Sequence, residues 1–517
     1  MATLPRAQKS FGRAGPLSPA RGGYGPRTFA GSNGRFMSVL MRRLEGRTAS
    51  RWAHIVLRRA LLSDVVTPAA IKDGDWIAAR AALLTRMGEV DGAKLLIDGL
   101  PVDGYTPRLY AAAAQTHMAA GDIPALCPLA PTARALSDAR FWRLAGAVCA
   151  SLTGDESLAT TGFNRVRRAD RENESGNGFD ILLAERVAGI ASGIGRAANI
   201  DWDDAGSLDS YRFGMAAAGE LDIPEDLWRD APTRIHGWAF RNGQTPLAVR
   251  DRVSRTAAAA GIVSARELVA LAALRGARQE DGEMPETARL MRVAEVGRTP
   301  SERIAAMRTI WDDAGDDADA RFAARIATAH AATRIEPVAS LAEEAPDLIA
   351  SMLAAGRYER ALAWWPVLAR AEDDVRWRGW ALLVLADAGG TVPLQPGSVR
   401  NAFSALAEGE NENMVRGRLG HLVSSLRAMD RIGGRAWNSI YEDFEVRRRD
   451  DVHTEALDRA AAAGRRGEVA ILSAIGLQGG WGQVRHQDVA PVLDAWNSVG
   501  LGAEARMLAV EAYLRGV

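Results

Sequence analysis

Trp76-Ile-Ala-Ala-Arg-Ala-Ala-Leu-Leu-Thr-Arg-Met-Gly88-Glu-Val-Asp-Gly-Ala-Lys-Leu-Leu-Ile97 places two short apolar, alanine-rich stretches on either side of one glycine. Ala and Leu are strong helix formers, and a glycine with an acid behind it ends one helix and opens the next. The stretch therefore predicts a helix over 76–87, a turn at Gly88 and a second helix over 90–100. The same glycine–acid step returns at Gly121-Asp122 and Gly154-Asp155, a spacing of 33 residues each time. A fixed period of about 33 residues marks stacked helix–turn–helix units.

Outward from this stretch the pattern continues with interruptions. A first helix is predicted over 48–62. Thr106-Pro107 opens the next unit, with Thr as cap and Pro in the first turn. The helix after Gly121 is expected to be short, because Pro124 and Pro128 interrupt it, and a third pair spans 138–152 and 157–168. Residues 170–177 read as a polar loop, and Pro224, Pro232 and Pro246 bracket short helices. Pairs resume near 247, with capping boxes at Ser264/Glu267, Thr299/Glu302 and Ser340/Glu343. A clear late unit over 347–368 turns at Gly356. Gly389 lies another 33 residues on, and pairs around Gly464 and Gly500 finish the chain. The expected organisation is a flexible Gly/Pro/Arg-rich tail at 1–47, helical repeats at 48–170, an irregular connector with short helices at 171–246, and helical repeats at 247–517.

These units resemble tetratricopeptide repeats. An alanine follows the turn glycine by five residues in Gly88/Ala93, Gly154/Ala159 and Gly356/Ala361, and a large apolar residue follows by nine at Ile97, Phe163 and Trp365. Tyr358 also fits the family habit. The departures are a period of 33 instead of 34, Leu126 where Ala is expected, and Trp76 and Trp142 one residue off the family position. The resemblance implies an all-α, right-handed superhelix, an α-solenoid, whose groove binds a peptide or protein partner.

Composition agrees with a helical, globular chain. Of 517 residues, 47% are apolar and 25% charged, while 64 cationic and 64 anionic residues cancel. That balance argues against a general nucleic-acid binder. Lysine occurs only at Lys9, Lys72 and Lys94, so the cations are nearly all Arg. Together with abundant Ala and Gly, this is the bias of a GC-rich genome and suggests a bacterial source. No window offers the ~20 apolar residues that cross a bilayer. No secretory signal precedes the first helix.

Cys127 and Cys149 fall on neighbouring helices of the second and third units. There they either form a disulfide, which requires an oxidising compartment, or serve as two small buried apolar groups. The compartment follows that choice. It is periplasmic if the cysteines pair and an export signal is missing from this start, and cytoplasmic otherwise. Trp364, Trp365, Trp377 and Trp380, with Tyr358, are either helix-packing residues or anchors for a partner. Arg447-Arg448-Arg449, followed by two aspartates, reads as a solvated charged face rather than a phosphate patch.

Catalytic patterns are weak. Asp312-Asp313-Ala-Gly-Asp316 resembles the magnesium motif of class I terpene synthases, and Asp201-Trp-Asp-Asp204 the acid motif of class II cyclases. Both lack their expected context. Gly193-Ile-Gly195-Arg-Ala-Ala198 follows a predicted helix, where a dinucleotide loop needs a strand. No catalytic, cofactor or metal residue is assigned. The expected function is a non-enzymatic scaffold. The alternatives are the helical superhelix of a peptidoglycan-related envelope system or, further off, a magnesium-dependent terpene-synthase-like enzyme.

Overall fold

A computed structural model describes residues 10–137, 139–172, 178–193, 200–278 and 283–516. Helices make up nearly all of its regular structure, as the high alanine content favours. Among the described residues the strands are limited to Arg13–Ala14 paired antiparallel with Val65–Val66. The architecture is all-helical and compatible with an α-solenoid.

Gly88, Gly121, Gly154 and Gly356 each sit between two helical segments with positive φ, at 85°, 67°, 83° and 74°. Asp73–Arg86 and Val90–Ile97 flank the first; Arg140–Leu152 and Glu156–Glu172 flank the third. Past Gly121 the prolines leave a 3-10 turn at Pro124–Leu126 and a seven-residue helix, Ala130–Leu136. At the fifth expected turn the left-handed residue is Gly390, φ 72°, one place after Gly389. Thr106 caps Pro107–Ala119 by accepting from the Leu109 amide. The Ser264/Glu267 box forms in both directions, at 2.8 and 3.3 Å. Ser340 instead lies within the 3-10 turn Ala339–Leu341, and the next helix starts at Ala345. Of the expected loop at 170–177, residues 173–177 lie outside the described residues and 170–172 finish Glu156–Glu172. The span 171–246 holds the helices Gly178–Ala191, Ser210–Ala218, Glu225–Arg229 and Thr233–Arg241.

The chain divides into two units. The first is Met1–Gly46 with Arg58–Val253; the second is Arg47–Leu57 with Ser254–Val517. In the first unit, the segment expected as a flexible tail is packed from Ser10 onward. Phe29 is fully buried and meets Trp76 edge to face, with centroids 4.9 Å apart. Met37 and Met41 of the helix Gly34–Arg43 are fully buried. Arg80 is also fully buried; it donates from Nη1 to the Ala14 carbonyl at 2.9 Å, from Nε to Leu61 at 2.8 Å and from Nη2 to Ser63 at 2.8 Å. Burial pushes its pKa down to about 9. Gly15, with φ 151°, passes so close to the Ser63 carbonyl that a Cβ would sit 2.0 Å from it. Glycine and arginine, which read as signs of disorder, are here the residues that allow close approach and capture carbonyls.

In the second unit a buried ionic cluster ties Arg47–Leu57 to the last helix, Gly502–Arg515. Glu511, 1% exposed, accepts from the Ser50 hydroxyl at 2.5 Å, the Arg51 amide at 2.9 Å and Arg515 Nη1 at 2.6 Å. Arg51 donates to the carbonyls of Ala258 and Val263, and Arg515 reaches Asp319. Elsewhere in the unit His421 is 2% exposed, with its ring 6.0 Å from that of His486. Burial, then repulsion from His486, pushes its pKa down to about 4, against the pull of Asp488.

Removing one partner of a buried ion pair costs about 3–5 kcal/mol, because the other is left uncompensated. Glu511→Ala should therefore lower hydrogen-exchange protection selectively in 47–57 and in Gly502–Arg515. A uniform loss across both units would deny Glu511 this role. His421 stays neutral when folded, whereas the unfolded residue takes a proton near its ordinary pKa of about 6.5. Its contribution is present above that value and is lost as pH falls towards about 4. The urea midpoint of the second unit should fall across this window, and His421→Gln should flatten the fall. Equal slopes in both proteins would sink the assignment.

Candidate partner-binding cleft

Pro107, Tyr110, Ala111, Ala114, Gln115 and Met118 lie at spacings of 3, 1, 3, 1 and 3, which is one stripe of the helix Pro107–Ala119. This stripe forms one wall of a cleft of about 490 Å3 in the first unit. Phe141 and Trp142 of Arg140–Leu152 line it too, with Tyr211 from Ser210–Ala218. The alanines leave the space, and the rings shape it. Phe141 meets Trp142 at 5.0 Å and Tyr211 at 6.3 Å between centroids, both edge to face.

A charged network fixes the rings. Arg140 grips Asp170 through Nε and Nη2 at 3.1 and 3.0 Å and Asp180 through Nη1 at 3.1 Å. Arg212 reaches the other Asp180 oxygen at 3.2 Å. The Tyr211 hydroxyl donates to the Asp180 carbonyl at 2.9 Å. Burial opposes the Arg140 charge, but Asp170 and Asp180 outweigh it and hold its pKa above the usual value. Burial, then Asp180, raises the Tyr211 phenol well above its usual range. This ring is therefore neutral at any physiological pH, and its position is set by its hydrogen bond. The exposed polar groups lining the cleft are Gln115 and Ser137, with Ser210 half-buried. Such a surface suits an apolar or aromatic side chain with hydrogen-bonding groups at its edge.

Cys127 and Cys149 are joined by a disulfide with Cα atoms 5.4 Å apart. It ties the residue after the Pro124–Leu126 turn to the helix that carries Phe141 and Trp142. The proline-broken segment buries Ile123, Leu126 and Leu129, and the covalent link adds a second tie to that packing.

The aromatic candidates in the second unit are placed differently. Trp364 and Trp380 are 1% exposed and Trp377 9%, so these three are packed among neighbouring side chains. Trp377 meets Trp380 edge to face at 5.3 Å, and Trp380 Nε1 donates to the Pro393 carbonyl at 2.9 Å. Tyr358 and Trp365 are half-buried, and the Arg506 guanidinium lies 5.8 Å from the Tyr358 ring centroid. The two acid motifs are local structure. Asp312 ends Pro300–Asp312, and Asp316 pairs with Arg321 at 3.7 Å. Asp201 accepts from the Asp203 amide at the start of the turn Trp202–Ala205. Of Gly193–Ala198, only Gly193 lies within the described residues, at φ 68° just beyond a helix end.

Tyr110, Phe141 and Tyr211 were not singled out by sequence. The stripe of Pro107–Ala119 is visible there, but its alanines read as core, and Tyr211 belongs to the span expected as connector. Among the described residues no helix is long and apolar enough to cross a membrane, and no three His, Cys, Asp or Glu side chains are grouped to hold a metal ion. No protein-family model matches the chain, and comparison with curated proteins and with solved structures finds no match.

The cystine closes a loop between residues 22 apart. In the chain-entropy account this contributes about 3 kcal/mol to the first unit. The double variant Cys127→Ser/Cys149→Ser should lower the urea stability of that unit by about this amount and raise hydrogen exchange in 124–152. An unchanged midpoint would show that the disulfide constrains nothing that folding does not already fix.

Proposed function

We propose that this protein is a non-enzymatic interaction scaffold, built as a right-handed solenoid of TPR-like helix pairs, which holds an apolar or aromatic side chain of a peptide or protein partner in the cleft beside Pro107–Ala119. The observation that carries this reading is the cleft wall itself, a single helical stripe in which Ala111 and Ala114 leave room between Tyr110 and Met118, with Phe141, Trp142 and Tyr211 lining the same cleft. Helical repeats bind in this manner, with a first-helix stripe offered to an extended or helical segment. The Tyr211 ring, held by its hydrogen bond to the Asp180 carbonyl, is an anchor that loses little entropy on binding. The disulfide supports an oxidising compartment such as the periplasm as the working location.

Aromatic rings also stack on sugar faces, so a peptidoglycan glycan in the same cleft is the competing occupant. An array of extended peptides, probed with the full-length disulfide-bonded chain, separates the two readings when run beside soluble glycan fragments. Binding should require one aromatic or large aliphatic residue in the peptide. Ala111→Trp, which fills the cleft from an exposed position, should weaken it at least tenfold, or about 1.4 kcal/mol. Undiminished peptide binding by Ala111→Trp overturns the proposal, and glycan binding lost in that variant replaces it with the envelope reading.

A further inference from the structure

The three arginines of Arg447-Arg448-Arg449 do not share one fate. Arg448 pairs with Asp458 at 2.5 Å and Asp494 at 3.7 Å. Arg449 pairs with Asp451 at 2.7 Å and Asp488 at 2.8 Å. Arg447 makes no ion pair among the described residues. It lines a cavity of about 230 Å3 in the second unit with Ser424, Arg427, Asp430, Arg448 and Asp494.

Four features mark this cavity as more than a surface dent. Ser424 is 3% exposed, and its hydroxyl has no hydrogen-bond partner among the described residues. A buried hydroxyl without a partner is destabilising, and a ligand accepting or donating there would relieve it. Arg427 lies 4.4 Å over the Tyr441 ring, which fixes its plane without neutralising it. Asp430 adopts φ 57° just past Glu412–Ala428, where glycine would be the unstrained choice. Asp430 is exposed, has no ion pair among the described residues and lines the same cavity. Asp494 is held only loosely by Arg448, and burial raises its pKa, with Asp458 and Asp430 adding to the rise and Arg448 opposing it.

The lining is thus divided. Arg427, Arg447 and the Ser424 hydroxyl can hold an oxyanion, while Asp430 and Asp494 can hold a cation. A bare anion would set its charge beside two carboxylates, and a bare cation would set its charge beside three guanidinium groups, those of Arg427, Arg447 and Arg448. Only a ligand carrying both signs pairs with both halves. We propose that this cavity binds a free α-amino acid as its zwitterion, with the carboxylate on Arg427, Arg447 and Ser424 and the ammonium against Asp430 and Asp494. Planar guanidinium groups suit the carboxylate, and the volume leaves room for a side chain. The site is independent of the aromatic cleft and of what binds there.

Isothermal titration of the full-length chain with each of the twenty L-amino acids tests this, with inorganic phosphate, acetate and methylammonium as single-charge probes. At least one amino acid should bind with Kd between about 10 µM and 1 mM. Arg447→Ala and Asp430→Asn should each weaken that binding tenfold or more, whereas Arg459→Ala, an exposed arginine outside the cavity, should leave it unchanged. Thermal melts of the variants control for folding. No binding by any amino acid overturns the proposal. So does phosphate binding that depends on Arg447 but not Asp430, which would make this a plain anion site.

Discussion

The Glu511 carboxylate is the point at which the second unit is tied across the greatest length of chain. It takes hydrogen bonds from Ser50 and Arg51, some 460 residues earlier in sequence, and from Arg515 one helical turn on. In a stack of helix pairs most contacts are between neighbours, so each pair depends on little beyond the next. A buried charge is different. It is tolerated only when its partners are in place, and those of Glu511, Arg51 and Arg515, are held in turn by the Ala258 and Val263 carbonyls and by Asp319. The second unit is therefore a single cooperative body with an N-terminal piece. A fragment begun at residue 247 would lack Ser50 and Arg51 and leave Glu511 half-satisfied.

Arg80 does the same work in the first unit with a different acceptor. Its guanidinium meets main-chain carbonyls of Ala14, Leu61 and Ser63 in place of a carboxylate. Five donors in a rigid fork allow one side chain to gather carbonyls beside the short ladder of Arg13–Ala14 and Val65–Val66. The near-absence of lysine is consistent with genome composition, but its structural consequence is specific. A buried lysine could not capture three carbonyls in one plane, and it would lose its charge more readily on burial.

Local signals in the sequence carried most of the helices. The turn glycines, the Thr106-Pro107 start and the Ser264/Glu267 box act within a few residues, so they read directly and lie as expected in the structure. Two local signals shifted, with Gly390 turning in place of Gly389 and Ser340 inside a 3-10 turn; most of what else was missed depends on distant chain. The segment 10–47 looked disordered because its apolar residues are sparse, yet Phe29, Met37 and Met41 are buried by elements that lie after it in the chain. Sequence left the tryptophans of the second unit as packing residues or anchors; Trp364, Trp377 and Trp380 are buried, and Trp377 packs edge to face on Trp380. Tyr211 and Phe141 are 70 residues apart and belong to different expected regions; only the fold makes them neighbours. The cysteine pair was half legible, since repeat register set the two thiols near each other but left their oxidation state open.

Both ligand-sized spaces share a physical origin. In each unit, a stretch where the regular pairing of helices lapses leaves room that side chains do not fill. The first lies beside the proline-broken segment after Gly121, where Ala130–Leu136 is only seven residues long. The second lies beside 445–451, an irregular stretch in which Glu445 also holds a positive φ of 50°. A solenoid with full-length helices at every step would cover such ground. The departures from strict repetition, which weaken the family resemblance, are therefore the same features that create sites. The aromatic cleft is lined mainly by apolar side chains of Pro107–Ala119, Ala130–Leu136 and Arg140–Leu152. The second cavity is charged because the end of Glu412–Ala428, the stretch 446–448 and the helix His486–Ser498 bring Arg and Asp side chains together.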